Sequence, residues 1–539
     1  MKISGNIIDI YKKRKYPGSL IIENGRIAHI EETDEEYGQY IMPGLIDSHI
    51  HIESSMSTPG SFACTAVRHG TTGVVSDPHE IANVRGIKGI EFMLEDSDRV
   101  PVKFWFGAPS CVPATGFETS GAAIGSNDIE NLMARREIKY LSEVMNFPGV
   151  INMDPEILRK LDAARRFGKR IDGHAPGLKG DDLKKYVNAG ISTDHECSSI
   201  NEAREKLALG MKILMREGSA ARNLDELKDL IKTSADMVML CCDDLHPEDL
   251  VKGHINKLVS KLITEGFDMF DVIRACTMNP VQHYKLDAGL LKSGDPADFV
   301  IAEDYKTMKI RETWIDGKKV FGDGKVLFDY QAGSHQNMFN SEYLLPGEIK
   351  IVRKGEKMRV IRVFDGEIYT GESICDTGSG EYVESDTGKD ILKIVVKDRY
   401  NNNPPSAAFI TGFGLKKGAF ASSVAHDSHN IVCVGENDND IAAAINRVIE
   451  MKGGLAVSDG RRIHSMDLPV AGLMSSNPVP EIAGRYQELS NAVKSQGCVL
   501  KAPFMTLSFM ALLVIPELKI SDKGLFDGKS FRFVSLFTE

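Results

Sequence analysis

Between residues 43 and 284, short apolar runs alternate with stretches that read as helices, such as DIENLMARREIKYL and NEAREKLALGMKILMREG. The apolar runs read as strands, and many of them end in polar residues: GLIDSHIHI, TTGVVSDP, VKFWFGAP, YLSEVM, GVINM, KRIDGHAP, GISTDHE and MVMLCCDD. Repeated strand–helix units over this length predict a (β/α)8 barrel, an α/β fold of the TIM type. A doubly wound sheet is the alternative, but it does not explain why polar residues collect at the ends of so many strands.

Strand-rich segments flank this alternating region on both sides. Residues 1–42 contain the apolar runs GNIIDI, SLIIENGRIAHI and YIMPG, and the Asn24-Gly25 step predicts a tight hairpin turn. Similar runs, ADFVIA and TWIDGKKV, return after the alternating region. We therefore predict a small β-sandwich domain built from residues 1–42 and 285–345.

Residues 346–539 form a third region, which contains both strand-like and helical runs. It contains the strand-like runs DILKIVVKD and HNIVCVG and the helical run DIAAAINRVIEMKGG. We predict a C-terminal α/β domain here. Its AHDSHN segment, residues 425–430, is a lid, a second polar cluster or a plain loop.

The composition argues against several kinds of partner. The 539 residues carry 76 acidic and 65 basic side chains, a formal net charge of −11, with no basic block, which argues against nucleic acid and anionic membranes. The most apolar run, Met505–Ile515, is too short to span a bilayer and is followed by Pro516. No secretory signal is visible, and the nine cysteines form no CxxC pair, so we expect a cytoplasmic protein with reduced thiols.

The strongest chemical signal is the pair His49 and His51 at the end of the first apolar run of the alternating region. Residues i and i+2 of a strand point to the same face, so both imidazoles can bind one metal ion. An isolated HxH pair also arises by chance in structural positions. The setting PGLIDSHIH favours the metal site.

Two motifs resemble a known superfamily. The segment PGLIDSHIHIE, residues 43–53, resembles the first barrel strand of the amidohydrolase superfamily, and GLLKSGDPADFVI, residues 289–301, resembles that superfamily's return into its small β-domain. Within the superfamily, SDPHEIAN, VAHDSHN and residues 503–515 resemble adenine deaminases. The resemblance covers nearly the whole chain, the third region included.

This resemblance implies metal ligands at the ends of successive barrel strands, holding two divalent ions, Mn²⁺ or Fe²⁺ in preference to Zn²⁺. Glu143 stands where a bridging ligand is expected and where many relatives carry a carbamylated lysine. Asp243 is favoured as the ligand of the eighth strand, with Asp244 left open. The implied ligands are His49, His51, Glu143, His174, His195 and Asp243.

The resemblance also implies the reaction, which is hydrolytic deamination of adenine to hypoxanthine and ammonia in purine salvage. Asp243 is expected to accept the proton of the attacking water and to pass it to the leaving nitrogen. Glu196 is the candidate that protonates the ring nitrogen beside the attacked carbon.

The residues after the HxH pair bear on the substrate. Dihydroorotase-like relatives place an arginine for a substrate carboxylate where this sequence has Glu53. A carboxylate repels an acidic substrate and accepts N–H donors from a neutral base. Asp77, His79 and Glu80, at the end of the second strand, are expected to line the substrate pocket.

Two other functions stay open. One is a cyclic amide hydrolase of the dihydroorotase or hydantoinase type, against which Glu53 and the third region count. The other is a relative without metals or enzymatic activity, against which the full set of implied ligands counts. We expect a homo-oligomer that acts on a small molecule.

Overall fold

The computed structural model of the chain describes residues 1–333 and 337–538. The chain divides into two compact units. The first comprises residues 1–78, 91–111 and 124–333. The second comprises residues 79–90, residues 112–123 and the described residues after Gly333.

The centre of the first unit is a barrel of parallel strands. Five strands form one sheet and three form another, each in sequence order. The sheets meet at both edges, because Ser192 N donates to Ile171 O at 2.9 Å and a parallel bridge joins Ile50 to Asp243. The predicted (β/α)8 architecture is thereby confirmed. Within the described residues the barrel strands are Leu45–Ile50, Thr71–Ser76, Lys103–Ala108, Ile138–Val144, Arg170–Gly173, Thr193–Asp194, Lys212–Arg216 and Val238–Cys241.

The prediction that GVINM is a strand is wrong. These residues belong largely to the helix Phe147–Ile151. Asn146 caps this helix by accepting a hydrogen bond from Gly149 N at 2.9 Å, and Pro148 has the backbone angle that a first helical turn requires. The local capping residues therefore outweigh the apolar composition of the run.

The prediction that NEAREKLALGMKILMREG is one helix is also wrong. The helix ends at Ala208, and Lys212–Arg216 forms the seventh barrel strand. Between them Gly210 has a φ of +88°, a conformation that favours glycine and terminates helices. The strand pairs in parallel with both of its neighbours, and this long-range pairing decides its conformation.

Helices follow most of the barrel strands. Pro155–Arg166 is typical, because Asp154 caps it by accepting from Glu156 N at 2.7 Å and its Ile157 and Leu161 side chains are buried. No helix in the part of the chain that the structure describes has both the length and the apolar character needed to cross a bilayer. The α-helices up to residue 284 are Pro59–Ala66, His79–Arg85, Ile87–Ser97, Ser126–Ala134, Phe147–Ile151, Pro155–Arg166, Gly180–Asn188, Ile200–Ala208, Leu224–Leu227, Leu230–Ser234, Pro247–Leu250, Ile255–Thr264, Met269–Ala275 and Met278–Tyr284, with 3-10 turns at Ile52–Ser55, Val67–His69 and Ala235–Met237.

Strands from both flanks of the barrel join one sheet, as predicted. The Asn24-Gly25 turn has φ values of +49° and +77°, the positive angles that a type I′ hairpin requires. The apolar core of this sheet includes Leu20, Phe299 and Trp314. Across the sheet, the strands that the structure describes are Lys325–Val326, Lys318–Gly322, Ile310–Ile315, Phe299–Ala302, Tyr40–Pro43, Lys2–Asp9, Arg14–Glu23 and Arg26–Glu32.

The second unit is built on a mixed sheet. Helix Asp438–Met451 packs its apolar face against this sheet, and Ile445 and Val448 share a buried cluster with Val395 and Cys433. The other helical segments after residue 337 are Val479–Ser495, Pro503–Ser508, and the 3-10 turns Pro346–Ile349 and Phe509–Ala511. Across the main sheet the strands are Thr370–Asp376, Lys357–Val363, Ser406–Thr411, Leu392–Lys397, Ile431–Gly435, Ala419–Ser422, Gly454–Ser458 and Ile463–Asp467, with Phe537–Thr538 added to Lys357–Val363. Smaller sheets pair Ile351–Val352 with Tyr382–Val383, and Leu518–Ser521 with Gly524–Asp527 and Arg532–Phe533.

Candidate metal centre

His49 and His51 lie side by side at the end of the first barrel strand. Both side chains are buried, and their Nε2 atoms are 3.2 Å apart. The Nδ1–H of His51 donates to the backbone carbonyl of Asp77 at 3.1 Å, which leaves the lone pair of this imidazole on Nε2. Two imidazole nitrogens that face each other at this distance are suited to bind a cation.

Asp47 connects the first barrel strand to the eighth. Its Oδ1 accepts hydrogen bonds from the backbone N–H of His49 at 3.2 Å and of Cys242 at 3.1 Å. Its Oδ2 lies 2.9 Å from Nε2 of His254. The carboxylate is fully buried, and the two hydrogen bonds from backbone N–H groups offset part of the cost of removing it from water. Asp47 therefore holds the eighth strand beside the HxH pair.

Asp243 directly follows the eighth strand and points towards both histidines. Its Oδ1 lies 3.2 Å from His51 Nε2 and 3.5 Å from His49 Nε2. Its φ of +59° is uncommon for a residue other than glycine, and backbone hydrogen bonds to His49 and His51 hold it there. Asp244 instead accepts a hydrogen bond from Ser54 Oγ at 2.5 Å, although its carboxylate also lies within 4.8 Å of the ligand atoms of His51 and Asp243.

Glu143, near the end of the fourth strand, contacts two groups of histidines. Its Oε1 lies 3.5 Å from His51 Nε2. Its Oε2 lies 2.8 Å from His174 Nδ1 and 3.2 Å from His195 Nε2, and these two nitrogens are 3.3 Å apart. The carboxylate thus offers a different oxygen to each group, which is the arrangement that a bridge between two cations requires.

The carboxylates, the histidines and Arg216 of this cluster shift one another's pKa values. Burial alone would raise the pKa of Glu143 and Asp243, but the histidines beside Glu143 and the guanidinium of Arg216 beside Asp243 hold both pKa values well below their usual range. Burial lowers the pKa of His174, yet the charges of Glu196 and Glu143 outweigh it and raise that pKa to about 9. A field that favours a proton on an imidazole also favours a divalent cation in its place.

Two family models and full-length relatives match this chain. The amidohydrolase family model matches residues 40–320, and the adenine deaminase C-terminal domain model matches residues 368–532. An adenine deaminase of Methanosarcina mazei is 51% identical over 100% of both chains, and one of Salinibacter ruber is 47% identical over 100% of this chain and 99% of its own. A solved β-aspartyl dipeptidase of Fervidobacterium islandicum AW-1 is 14% identical, covers 61% of this chain and 100% of its own, and has a TM-score of 0.48. The chain belongs to the adenine deaminase family.

Membership of the amidohydrolase family implies divalent metal ions, and the residues present fit them. The ligand atoms of His49, His195 and Asp243 lie within 4.8 Å of one another, and so do those of Glu143, His174 and His195. All of these donors are imidazole nitrogens or carboxylate oxygens, which suit borderline divalent ions of the first transition row.

Arg216 also belongs to this site, although the sequence analysis did not identify it. It ends the seventh barrel strand, and its Nη1 donates to Asp243 Oδ2 at 2.5 Å. The guanidinium also contacts both carboxylate oxygens of Glu196, with Nη2 to Oε2 at 3.0 Å. Because the segment was interpreted as helix, the arginine after the apolar run ILM was not recognised as a strand-end polar residue, although the other strands show that same signal.

Four residues were expected to line the substrate pocket, and they lie in different units of the chain. Glu53 is buried in the short turn Ile52–Ser55, directly after the HxH pair, and Asp77 is buried beside His51. His79 and Glu80 instead begin helix His79–Arg85 of the second unit.

Proposed function

We propose that this chain catalyses the hydrolytic deamination of adenine to hypoxanthine and ammonia at a binuclear metal centre, in purine salvage. Family membership and the adenine deaminase relatives at about half identity over their full length support this activity. The carboxylate of Glu143, which offers one oxygen to His51 and the other to His174 and His195, is the observation that carries the binuclear centre.

The proposed metal ligands are those that the resemblance implies. Mn²⁺ or Fe²⁺ is proposed over Zn²⁺, and a donor set of imidazoles and carboxylates without thiolate is compatible with all three. When bound, two such ions would lower the pKa of the attacking water from about 16 towards about 7. The proposed ligands are His49, His51, Glu143, His174, His195 and Asp243.

The chain's own acid–base groups account for the proton transfers. Of the two protons of the attacking water, one ends on the ring nitrogen beside the attacked carbon and the other leaves with ammonia. We assign the transfer to the leaving nitrogen to Asp243 and the transfer to the ring nitrogen to Glu196. Glu196 would take up that proton from the attacking water and release it at the ring nitrogen, and Arg216 holds its carboxylate in place.

The proposed substrate contacts are Glu53, Asp77, His79 and Glu80. Carboxylates accept hydrogen bonds from the N–H groups of adenine, whereas they repel the carboxylate of a substrate such as dihydroorotate. We therefore expect the free base to be preferred over adenosine and no useful rate on acidic cyclic amides. That the enzyme is a cytoplasmic homo-oligomer, independent of nucleic acid and membranes, stays a prediction.

The test is a substrate panel. The purified protein, loaded in turn with Mn²⁺, Fe²⁺ and Zn²⁺, is incubated with purine bases, nucleosides, pyrimidines and cyclic amides while ammonia and ring opening are measured. We expect adenine to be the best substrate. Faster hydrolysis of dihydroorotate or a hydantoin would overturn the proposed activity and leave the metal centre standing.

A further inference from the structure

Lys206 lies at the centre of a buried ionic network in the barrel unit, on helix Ile200–Ala208. The lysine is 0% exposed, and its ammonium group donates one hydrogen bond each to Ala175 O at 2.7 Å, Asp194 Oδ2 at 2.9 Å and Glu202 Oε1 at 2.8 Å. Burial alone would lower the pKa of Lys206, but the charge of Asp194 outweighs burial and raises this pKa above its usual value. The lysine is therefore charged, and each of its three N–H bonds has an acceptor.

Asp194 joins the chain after the fifth barrel strand to the chain after the sixth. Its Oδ1 accepts a hydrogen bond from the backbone N–H of Ala175 at 2.9 Å, and its Oδ2 accepts one from that of Glu196 at 3.2 Å. Ala175 directly follows the proposed ligand His174, and Glu196 directly follows the proposed ligand His195. The carboxylate of Asp194 therefore fixes the backbone beside both ligands.

Glu202 forms a second connection between the same two segments. Its Oε1 accepts a hydrogen bond from the backbone N–H of Gly177 at 2.8 Å, and its Oε2 accepts from the backbone N–H and the hydroxyl of Ser198, both at 3.3 Å. Lys206 lies four residues after Glu202 on the same face of the helix and contacts the carboxylates of both Glu202 and Asp194. Its ammonium group compensates the charges of these buried carboxylates, which would be strongly destabilising without a cation.

The two ligands beside this network belong to one half of the proposed metal centre. His174 Nδ1 and His195 Nε2 are 3.3 Å apart, and both contact Oε2 of Glu143. The backbone N–H of His49, on the first barrel strand, donates to Asp47 instead. A metal site requires its ligands within about 0.5 Å of the productive geometry. A change in the spacing of the fifth and sixth strand ends should therefore affect the ion at this half of the centre more than the other ion.

We propose that Lys206 is a positioning residue for the metal centre. Through Asp194 and Glu202 it holds the ends of the fifth and sixth barrel strands together, and it thereby keeps two ligands at the spacing that one of the two ions requires. These ligands are His174 and His195. The inference rests on the proposed function and deepens it, because it assigns the support of one ion to the helix that follows the sixth barrel strand.

The test measures Mn²⁺ binding by equilibrium dialysis, with protein that a chelator has freed of metal. Lys206→Met keeps most of the side-chain volume and removes the charge and all three hydrogen bonds. We expect the wild type to bind two ions, and Lys206→Met to bind one of them about 10- to 100-fold more weakly with a much smaller change at the other, because residues that orient metal ligands have effects of this size. Equal affinities in the two proteins, or an equal loss at both ions, would overturn the inference.

A double variant identifies which ion is affected. His174→Ala removes a proposed ligand of one ion and should leave the other ion bound. If Lys206 acts on that half of the centre, Lys206→Met with His174→Ala should bind the remaining ion as tightly as His174→Ala alone, because losses at one coupled site are not additive. A further loss of affinity in the double variant would contradict the inference.

Lys103→Met is the matched control. Lys103 also donates three hydrogen bonds, to Asp287 O at 3.0 Å, Asp298 Oδ2 at 2.7 Å and Asp316 Oδ1 at 3.0 Å. It begins the third barrel strand, at the opposite end of the barrel from the proposed ligands. Its replacement should lower thermal stability and leave both Mn²⁺ affinities unchanged. A loss of affinity equal to that of Lys206→Met would assign the effect to general destabilisation and refute the inference.

Further outcomes separate this inference from the proposed function. Should Lys206→Met not fold, as judged by circular dichroism, Glu202→Gln removes one charge from the same network and should show the same selective loss; unchanged affinity there would overturn the inference. Wild-type protein that binds fewer than two ions would overturn the binuclear centre and the inference with it. Wild-type protein that binds two ions but does not deaminate adenine would overturn the proposed activity alone, and a selective loss in Lys206→Met would still support the inference.

Discussion

The barrel and the second unit each bury a glutamate among histidines, yet the two clusters are suited to different chemistry. Around Glu143 the imidazole nitrogens contact the carboxylate, with His174 Nδ1 2.8 Å from Oε2, and they also face one another, with the Nε2 atoms of His49 and His51 3.2 Å apart. Around Glu80, His426 and His429 contact one carboxylate oxygen each, and His79 Nε2 lies 3.4 Å from Oε1. The residue types are the same, and the arrangement of the ring nitrogens differs.

The backbone partner of each imidazole accounts for that difference. The Nδ1 of His51 donates to a carbonyl, so its Nε2 keeps a lone pair for a metal ion. The Nδ1 of His429 accepts from an N–H, so its Nε2 carries a proton and donates. A single backbone group on the far side of the ring thus decides between a ligand and a hydrogen-bond donor.

The largest expected effect is at Asp243, the acid of the barrel cluster. We expect Asp243→Asn to lower kcat on adenine by about a thousandfold or more, because a general acid–base group alone contributes about 10²–10⁴-fold and Asp243 is also a proposed ligand. Steady-state kinetics with metal analysis checks this. Near-normal turnover would move the role to Asp244.

Glu143 and Glu80 provide the direct contrast between the clusters. We expect Glu143→Ala to lose at least one of the two ions and at least about a hundredfold in kcat, since it removes a shared ligand. Glu80→Ala is the matched control and should keep both ions. Elemental analysis of the two purified proteins decides, and equal metal content in both would remove Glu143 from the bridge.

Variants of Arg216 test whether Asp243 and Glu196 require a positively charged partner for activity. Arg216→Met leaves Asp243 and Glu196 without their shared partner, and we expect a loss of about a hundredfold in kcat. Arg216→Lys keeps the charge without the planar fork and should lose less. Kinetics and thermal unfolding are measured together, and a Met variant that is stable and fully active would refute a role for the arginine.

The smallest expected effect is at Glu53, a carboxylate outside both clusters. Glu53→Gln should reduce kcat/KM on adenine by roughly ten- to a hundredfold, because a charge-assisted hydrogen bond contributes about 1.5–3 kcal/mol. Metal content should stay at the wild-type value. An unchanged kcat/KM would assign Glu53 to the support of the metal ligands instead of the substrate.

Local sequence determined much of this molecule. Alternating apolar runs were enough to predict the barrel, and the HxH pair lies where the two-residue period of a strand puts it, with both imidazoles on one face. The Asn24-Gly25 hairpin follows from backbone angles that few other residues adopt. These features depend on neighbours in the chain, and a pattern along the chain therefore reports them.

Tertiary structure decided the rest. Lys212–Arg216 is a strand because it pairs with strands on both sides, and only that pairing puts Arg216 between Asp243 and Glu196. Likewise, Glu80 and His429 are 349 positions apart in sequence and meet only in the folded chain. The proton position on His429 depends on the backbone of Ala425 in its folded conformation. Contacts between distant segments leave no periodic pattern in the sequence. The same is true of the backbone group that each imidazole nitrogen contacts. Only the folded structure could determine these features.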